Sequence, residues 1–269
     1  MTAFAARLPG LRGLASIGAQ SFYVYRADFA FQLLGVLLQI SLLKVVWTAV
    51  YADAPGGTGT DLQTLVSYLT IVNLQIWLLS ADIARSIHQR VREGAIALDL
   101  ARPIGLLSQF ASLQLGRTAA AFLLAVAALP LAFVLGGLRF PRSPEAALVY
   151  GVSLVLAYTI SLLISLLLGL IAFWTYETTG VLSIYRFVNL FLGGGLVPLW
   201  LFPDWLRAVA ELLPFQAQGY VPVSIYLGRI AGPEMLQSLA VQSLWVAGLA
   251  TAVQALWGRA VRRIVIQGG

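Results

Sequence analysis

The sequence predicts an all-α integral membrane protein with six transmembrane helices, an N-terminal amphipathic helix at the membrane interface and a helical loop between the second and third spans. Two observations support this fold class. Of the 269 residues, 59% are hydrophobic and only 10% are charged, whereas a soluble domain of this size carries about a quarter charged residues. Several apolar runs also reach the ~20 residues that a helix needs to cross a bilayer.

The first predicted element is the amphipathic helix within residues 8–28. Apolar and small residues recur there at helical spacing, with arginines nearby, which is typical of a helix lying on the membrane surface; the alternative is a frayed tail. The residues are Leu14, Ile17, Gly18, Phe22 and Tyr25, flanked by Arg12 and Arg26.

Six apolar runs follow and form one transmembrane domain over residues 1–269. We place the spans at residues 30–50, 62–83, 117–138, 146–173, 181–202 and 236–257. Residues 203–235 are interrupted by Pro214, Gly219 and Pro222, so we expect short helices before the sixth span, either in the outer leaflet or re-entrant. No internal repeat is evident, unlike in many secondary transporters.

The orientation follows from the basic residues, which are enriched in cytoplasmic loops. With the N-terminus inside, six spans place ten arginines on the cytoplasmic side and four outside, so both termini are predicted to be cytoplasmic. The weakest point is the loop at residues 174–180, which has no basic residue. The ten are Arg7, Arg12, Arg26, Arg85, Arg90, Arg92, Arg102, Arg259, Arg262 and Arg263, and the four are Arg139, Arg142, Arg207 and Arg229.

The composition also limits the chemistry of the chain. It has no cysteine and a single histidine, His88, which excludes thiol chemistry and a multi-histidine metal site. Its single lysine, Lys44, lies in an apolar run, so the chain has no phosphate-binding loop of the lysine-containing type. We expect no metal and no cofactor in this chain. The net charge is +6, and the arginines that produce it cluster beside apolar runs. This position indicates a role in membrane topology rather than nucleic-acid binding.

Polar residues are dense in the stretch RVREGAIALDLARPIG, residues 90–105. Gly94 is expected to stop a helix that continues from the second span, and residues 95–100 are too short to cross the bilayer. Pro103 disfavours helix at Arg102 and sets a turn. The sequence therefore predicts a compact charged loop. From the residues alone, four arginines are sufficiently explained by an ordinary cytoplasmic loop with positive charge.

Three stretches together resemble the permease subunits of ABC exporters of the ABC-2 class. They are GAIALDLARP at residues 94–103, YRADFAFQLLG at residues 25–35, and GGGLVPLWLFPDWLRAVAELLPFQAQGYVPVSIYLG at residues 193–228. Each pattern is loose by itself, and the resemblance rests on their combination over nearly the whole chain.

The resemblance implies an ATP-driven exporter. Residues 85–103 would contain the cytoplasmic coupling helix that contacts a separate dimer of ATPase subunits, which would bind ATP and Mg. The substrate pathway would form with a second copy of this chain or a related permease, in the bacterial cytoplasmic membrane among its lipids. The contact residues carried over are Arg90, Arg92, Glu93, Gly94, Asp99, Leu100, Arg102 and Pro103. The arginines could alternatively bind anionic lipid headgroups.

Polar and glycine residues within the spans are candidates for the pathway or its gating, because ionisable groups in hydrocarbon are costly. They are Lys44, Asn73, Gln75, Arg186, Asn189 and Gly194. Each has a structural alternative: Lys44 can extend to the interface, Asn73 and Gln75 can join helices, and the glycines can allow close packing. Arg186 can reach the interface or pair with Glu177.

Two other functions compete with an exporter. A secondary transporter or channel would use carboxylates deep within the spans, but every carboxylate lies at a span end or in a loop. A lipid-modifying membrane enzyme would need paired carboxylates or a metal-binding cluster, and the sequence suggests no such catalytic set.

Overall fold

The computed structural model describes residues 8–24, 26–53, 59–175 and 177–267, and these form helices with no strand among them. Tyr25, Arg7 and residues 54–58 lie outside the described residues. In chain order the α-helices are α1 Leu8–Val24, α2 Arg26–Asp53, α3 Leu62–Leu79, α4 Ile83–Arg92, α5 Ile96–Leu100, α6 Leu106–Gly136, α7 Pro144–Leu170, α8 Thr179–Leu192, α9 Asp204–Glu211, α10 Tyr220–Tyr226 and α11 Pro233–Gln267.

Four stretches of helix among the described residues are long and apolar enough to cross a membrane. They are Arg26–Asp53, Leu62–Arg92 (α3 and α4 taken together), Pro144–Phe173 and Pro233–Arg262. Helix α6 is 31 residues long and contains Pro130, whereas α8 is a shorter apolar helix. The fold is therefore that of an all-α integral membrane protein, and the count of six spans stays a prediction.

The loops gather at two opposite ends of the helices. At one end, here called the Asp99 end, Ile83, Ile87, Ile96, Phe173 and Ala260 belong to one buried cluster. The loops that we assigned to the cytoplasm after the second and fourth spans therefore meet the C-terminal part of α11. Which end faces the cytoplasm stays a prediction.

The other end, here called the Asp61 end, is held by polar contacts between distant loops. Arg139 Nη2 lies 2.9 Å from Asp61 Oδ2, and Arg229 Nη2 donates to Thr60 Oγ1 at 2.5 Å. The side chain of Thr64 donates to Asp61, and this hydrogen bond is the largest cause that lowers the pKa of Asp61, while Arg139 contributes less. The three loops that we assigned outside are thus neighbours.

The predicted N-terminal helix is present as α1 and packs closely along the first part of α6. A Cβ on Gly116 would lie 1.8 Å from the carbonyl oxygen of Ala15, and one on Gly18 would lie 2.1 Å from that of Leu113. Only glycine permits this approach of the two backbones. Arg117 Nε also donates to Ser21 Oγ at 3.2 Å, so a side-chain hydrogen bond joins α1 to α6 as well.

Three helix boundaries differ from the predicted spans. Helix α6 begins at Leu106 rather than near residue 117, because its first turns pack against α1. The predicted helix from residue 62 through Arg92 is broken at residues 80–82. The predicted span at residues 181–202 is helical only to Leu192. It ends at three glycines, of which Gly194 has φ +85°, a conformation that glycine adopts readily.

Candidate functional site: a polar cavity and an ordered loop

A cavity of about 830 Å³ lies between α2, the break after α3, α6, α7 and α8. Polar side chains inside the membrane are costly, and they mark pathways or water-filled cavities. This cavity is therefore the candidate passage for a substrate. Its polar lining includes Gln32, Gln39, Asn73, Gln114, Asn189, Gln218, Asp28, Asp82, Arg85, Arg117 and Arg186.

The break between α3 and α4 forms one wall of this cavity. The backbone at residues 80–82 leaves the helix, and side chains from other helices replace the helical hydrogen bonds. Ser165 Oγ of α7 donates to Ala81 O at 2.8 Å and accepts from Ala84 N at 3.1 Å. Gln114 of α6 accepts from Asp82 N at 3.3 Å. The residues around position 80 did not indicate this break, because its hydrogen-bond partners come from distant parts of the chain.

Asp82 lies at the break and gathers two arginines at the edge of the cavity. Arg186 Nη2 lies 3.4 Å and Arg85 Nε 3.6 Å from Asp82 Oδ1. Arg186 therefore pairs with Asp82. The pair with Glu177, which was one of the two alternatives from the sequence, is not formed among the described residues. Glu177 accepts a hydrogen bond from Thr179 N at 2.7 Å instead. All three side chains at the break are more than a third exposed, so their mutual attraction contributes little to stability.

The buried end of the cavity is closed by amide side chains of α3. Asn73 Nδ2 donates to Gly195 O at 2.8 Å, and its Oδ1 accepts from Gln39 Nε2 at 3.0 Å. Gln75 Nε2 donates to Gln218 O at 2.7 Å. Asn73 thus joins α3 to the segment of the three glycines, and Gln75 joins it to the segment at Gln218 and Gly219. Both contacts agree with the helix-joining alternative. Only Asn73 of these two lines the cavity.

Two other amide groups near the cavity have no hydrogen-bond partner among the described residues. They are Asn189 Oδ1 and Gln218 Nε2, and both residues line the cavity. Buried polar groups are usually satisfied. These two groups are therefore free to bind a polar substrate or water in the cavity.

Beyond Asn73, an aromatic cluster fills the space toward the Asp61 end. The Tyr68 and Trp200 ring centroids are 4.7 Å apart in an edge-on arrangement, and Arg229 lies 3.7 Å above the Trp200 ring. A Cβ on Gly194 would lie 2.3 Å from Tyr68 Oη. Gly194 is therefore required by its backbone conformation and by this contact, which favours the close-packing alternative.

Lys44 does not take part in the cavity. It lies exposed on α2 and is not among the cavity-lining residues. No group of three or more potential metal ligands occurs among the described residues. Of the six pathway candidates, the structure brings Asn73, Arg186 and Asn189 to the cavity wall and leaves Lys44, Gln75 and Gly194 outside it.

The loop at the Asp99 end is organised around one buried carboxylate. Asp99, whose side chain is 3% exposed, accepts hydrogen bonds from Arg90 Nε and from Arg90 Nη2, the latter at 2.8 Å. Arg102 Nη1 lies 3.5 Å from Asp99 Oδ1. Gln109 Nε2 donates to the carbonyl oxygens of Asp99 and Ile104 at 2.8 and 2.7 Å. This set of contacts joins α4, α5 and the start of α6 into one unit.

The residues around this cluster differ in what they offer to a partner. Asp99 is buried and Leu100 packs against the apolar cluster at this end, so both have little surface to present. The exposed residues are Arg92, Glu93, Gly94, Arg102 and Pro103. Gly94 has φ +69°, which ends α4 as predicted. The sequence missed Leu98, a large apolar side chain that is 70% exposed.

A family model described as ABC-2 family transporter protein matches residues 36–268. This match covers the break, the Asp99 loop and the cavity lining from Val36 onward. The chain belongs to the ABC-2 transporter family. No curated protein matches it.

As an ABC-2 transporter protein, the chain is a permease subunit of an ABC transporter and an integral membrane protein. It is a transport subunit rather than an enzyme. ABC-2 permeases generally work with ABC ATPase partners.

Proposed function

We propose that this permease is the membrane-spanning subunit of an ATP-driven exporter. The substrate passes through the polar cavity, completed by a second copy of the chain or by a related permease. ATP and Mg bind to separate ATPase subunits at the Asp99 end. This places both termini on the cytoplasmic side, in the bacterial cytoplasmic membrane. The family supports a permease, and the direction and partners are our inference.

The observation that carries the coupling role is the buried ion pair between Arg90 and Asp99. A motor subunit can move a membrane helix only through an element that does not deform when it is pushed. The paired carboxylate and the two carbonyl bonds of Gln109 hold α5 against α4 and α6. Asp99 and Arg90 then position the contact surface, and Arg102, Glu93 and Leu98 belong to that surface.

Leu98 gives the sharpest test of this proposal. Leu98 is a large apolar side chain, 70% exposed, on the surface of α5 that we assign to the ATPase contact. Leu98→Asp should therefore abolish co-purification of the ATPase subunit and ATP-driven transport in reconstituted vesicles. Because Leu98 is exposed, the yield and thermal stability of the permease should not change.

The matched control is Phe140→Asp, which replaces an apolar side chain by the same charged one at the Asp61 end, where Phe140 is 84% exposed. This variant should retain the ATPase subunit. If Leu98→Asp also retains it with normal transport, the Asp99 loop is not the coupling contact. If transport is driven by an ion gradient without any ATPase, the exporter proposal itself is wrong.

A further inference from the structure

A second cavity, of about 660 Å³, lies between α4 and the start of α8 at the Asp99 end. It shares Arg85 and Arg186 with the larger cavity, so these two arginines stand between the two spaces. Its volume falls in the range of small-molecule sites. Neither the substrate passage nor the proposed ATPase contact uses its deepest residues, His88 and Thr178.

Both of these residues are buried without the hydrogen bonds that their side chains require. His88 is 8% and Thr178 is 2% exposed. Among the described residues, the two ring nitrogens of His88 and the hydroxyl of Thr178 have no hydrogen-bond partner. Both residues line the cavity. A buried polar group without a hydrogen bond destabilises a protein, so such groups are usually satisfied. A ligand with several acceptor oxygens would satisfy the His88 N–H and the Thr178 O–H together.

The start of α8 adds a second feature that favours an anion. Thr178 is the N-cap of this 14-residue helix, and free N–H groups and the helix dipole favour negative charge there. Glu177 is bound to Thr179 N, which occupies one of these groups. Hydrogen bonds from Thr179, and to a lesser degree the charges of His88 and Arg92, lower the pKa of Glu177.

The charged residues of the lining are predominantly basic. Arg85, Arg92 and Arg186 line the cavity together with one carboxylate, Glu93. Asp82 contacts both Arg85 and Arg186 with the same oxygen, Oδ1. Each guanidinium has five N–H donors, so this contact leaves most of them available to a ligand. Gln89 Nε2 donates to Glu93 Oε1 at 2.8 Å, so Glu93 is held toward Gln89 on its own helix.

We infer that this cavity binds a phosphate group, with His88, Thr178 and the arginines donating to its oxygens. Phosphate oxygens accept from several directions, and arginine pairs with them strongly. The cavity is far larger than one phosphate ion, so the group is carried by a larger molecule, either a lipid headgroup or a phosphorylated solute. This inference does not depend on coupling to an ATPase.

The test uses the full chain, purified in detergent and stripped of lipid, and native mass spectrometry. Phosphatidic acid is compared with diacylglycerol, which has the same chains and no phosphate. Inorganic phosphate is compared with chloride at equal ionic strength by thermal shift. Preferential binding of phosphatidic acid supports a headgroup, and stabilisation by inorganic phosphate supports a soluble source. If neither phosphate probe is preferred over its control, the inference is wrong.

The diagnostic variant is Thr178→Val, which removes the hydroxyl and keeps the shape. It should weaken binding of the preferred probe about tenfold, because one donor is lost. Without the probe it should be at least as stable as the unaltered protein, since an unsatisfied buried hydroxyl is replaced by a methyl group. The control is Thr159→Val on α7, where Thr159 is half-buried, donates to Val155 O and lies outside this cavity; this variant should bind normally. Equal binding by the two variants would overturn the assignment.

Discussion

Replacing Asp99 by Asn is the most direct test of how the loop at the Asp99 end is held together. The change keeps the size and shape of the side chain and removes its charge. In the structure the Asp99 carboxylate is 3% exposed and receives two hydrogen bonds from Arg90. Asn would offer one oxygen and one NH₂ group in place of two acceptors, so one donor of Arg90 would lose its partner.

The magnitude follows from the burial of the two partners. Breaking a fully buried ion pair costs about 3–5 kcal/mol, and a hydrogen bond to a charged group contributes about 1.5–3 kcal/mol. Arg90 is 35% exposed, so water compensates part of its loss. We therefore expect Asp99→Asn to lower the free energy of unfolding by about 2–3 kcal/mol.

The assay is equilibrium unfolding of the purified permease in mixed micelles. The matched control is Glu211→Gln, because Glu211 pairs with Arg207 at 2.9 Å and both side chains are about half exposed. Pairs of this kind contribute about 0.3–0.5 kcal/mol. A double-mutant cycle with Arg90→Gln then isolates the energy of the Arg90–Asp99 pair. If Asp99→Asn costs no more than Glu211→Gln, the carboxylate does not hold the loop, and the argument for a rigid coupling element fails.

Two further predictions concern packing and topology. Gly116→Ala should detach α1, at a cost of about 1–3 kcal/mol, because its Cβ would lie 1.8 Å from Ala15 O; limited proteolysis should then cut the N-terminal segment faster. The control is Gly13→Ala, because a Cβ at this position meets open space; this variant should be cleaved more slowly or at the unaltered rate. Equal cleavage rates for the two variants would refute the contact between α1 and α6. The chain has no cysteine, so Glu93→Cys and Arg139→Cys report sidedness cleanly. A membrane-impermeant maleimide should label only Arg139→Cys in intact cells, and the reverse pattern would invert the topology.

The elements that the sequence predicted well are those fixed by a property of a single segment. The presence of long helices at α2, α7 and α11 follows from their apolar runs, because hydrocarbon requires about 20 such residues whatever the neighbouring helices are. Both α2 and α11 extend beyond the predicted spans. Gly94 ends α4 with φ +69°, which could be expected because glycine adopts this conformation at little cost. These features need no knowledge of the rest of the fold.

The features that the sequence did not predict depend on contacts between distant segments. The break at residues 80–82 exists because Ser165 and Gln114 bond to the backbone there, and nothing near residue 80 signals this. Leu98 and Leu100 are equivalent in the sequence of α5. Packing buries part of Leu100 and leaves Leu98 exposed, which could be decided only once the faces of α5 were known.

The break also gives the proposed coupling a physical route from the Asp99 loop to the cavity. Helix α4 packs on α7 through Ile87 and Gly169, and Asp82 at its start borders the cavity and contacts Arg186 of α8. Turning α4 about residues 80–82 requires no helical hydrogen bond to break, because side chains already replace those bonds. Each such side-chain bond contributes only about 1 kcal/mol, well within what ATP-driven closure of a motor can supply. A continuous helix from Leu62 to Arg92 would resist the same movement. Under the proposed coupling, the stiff loop and the deformable break together let a push at the Asp99 end reshape the cavity wall.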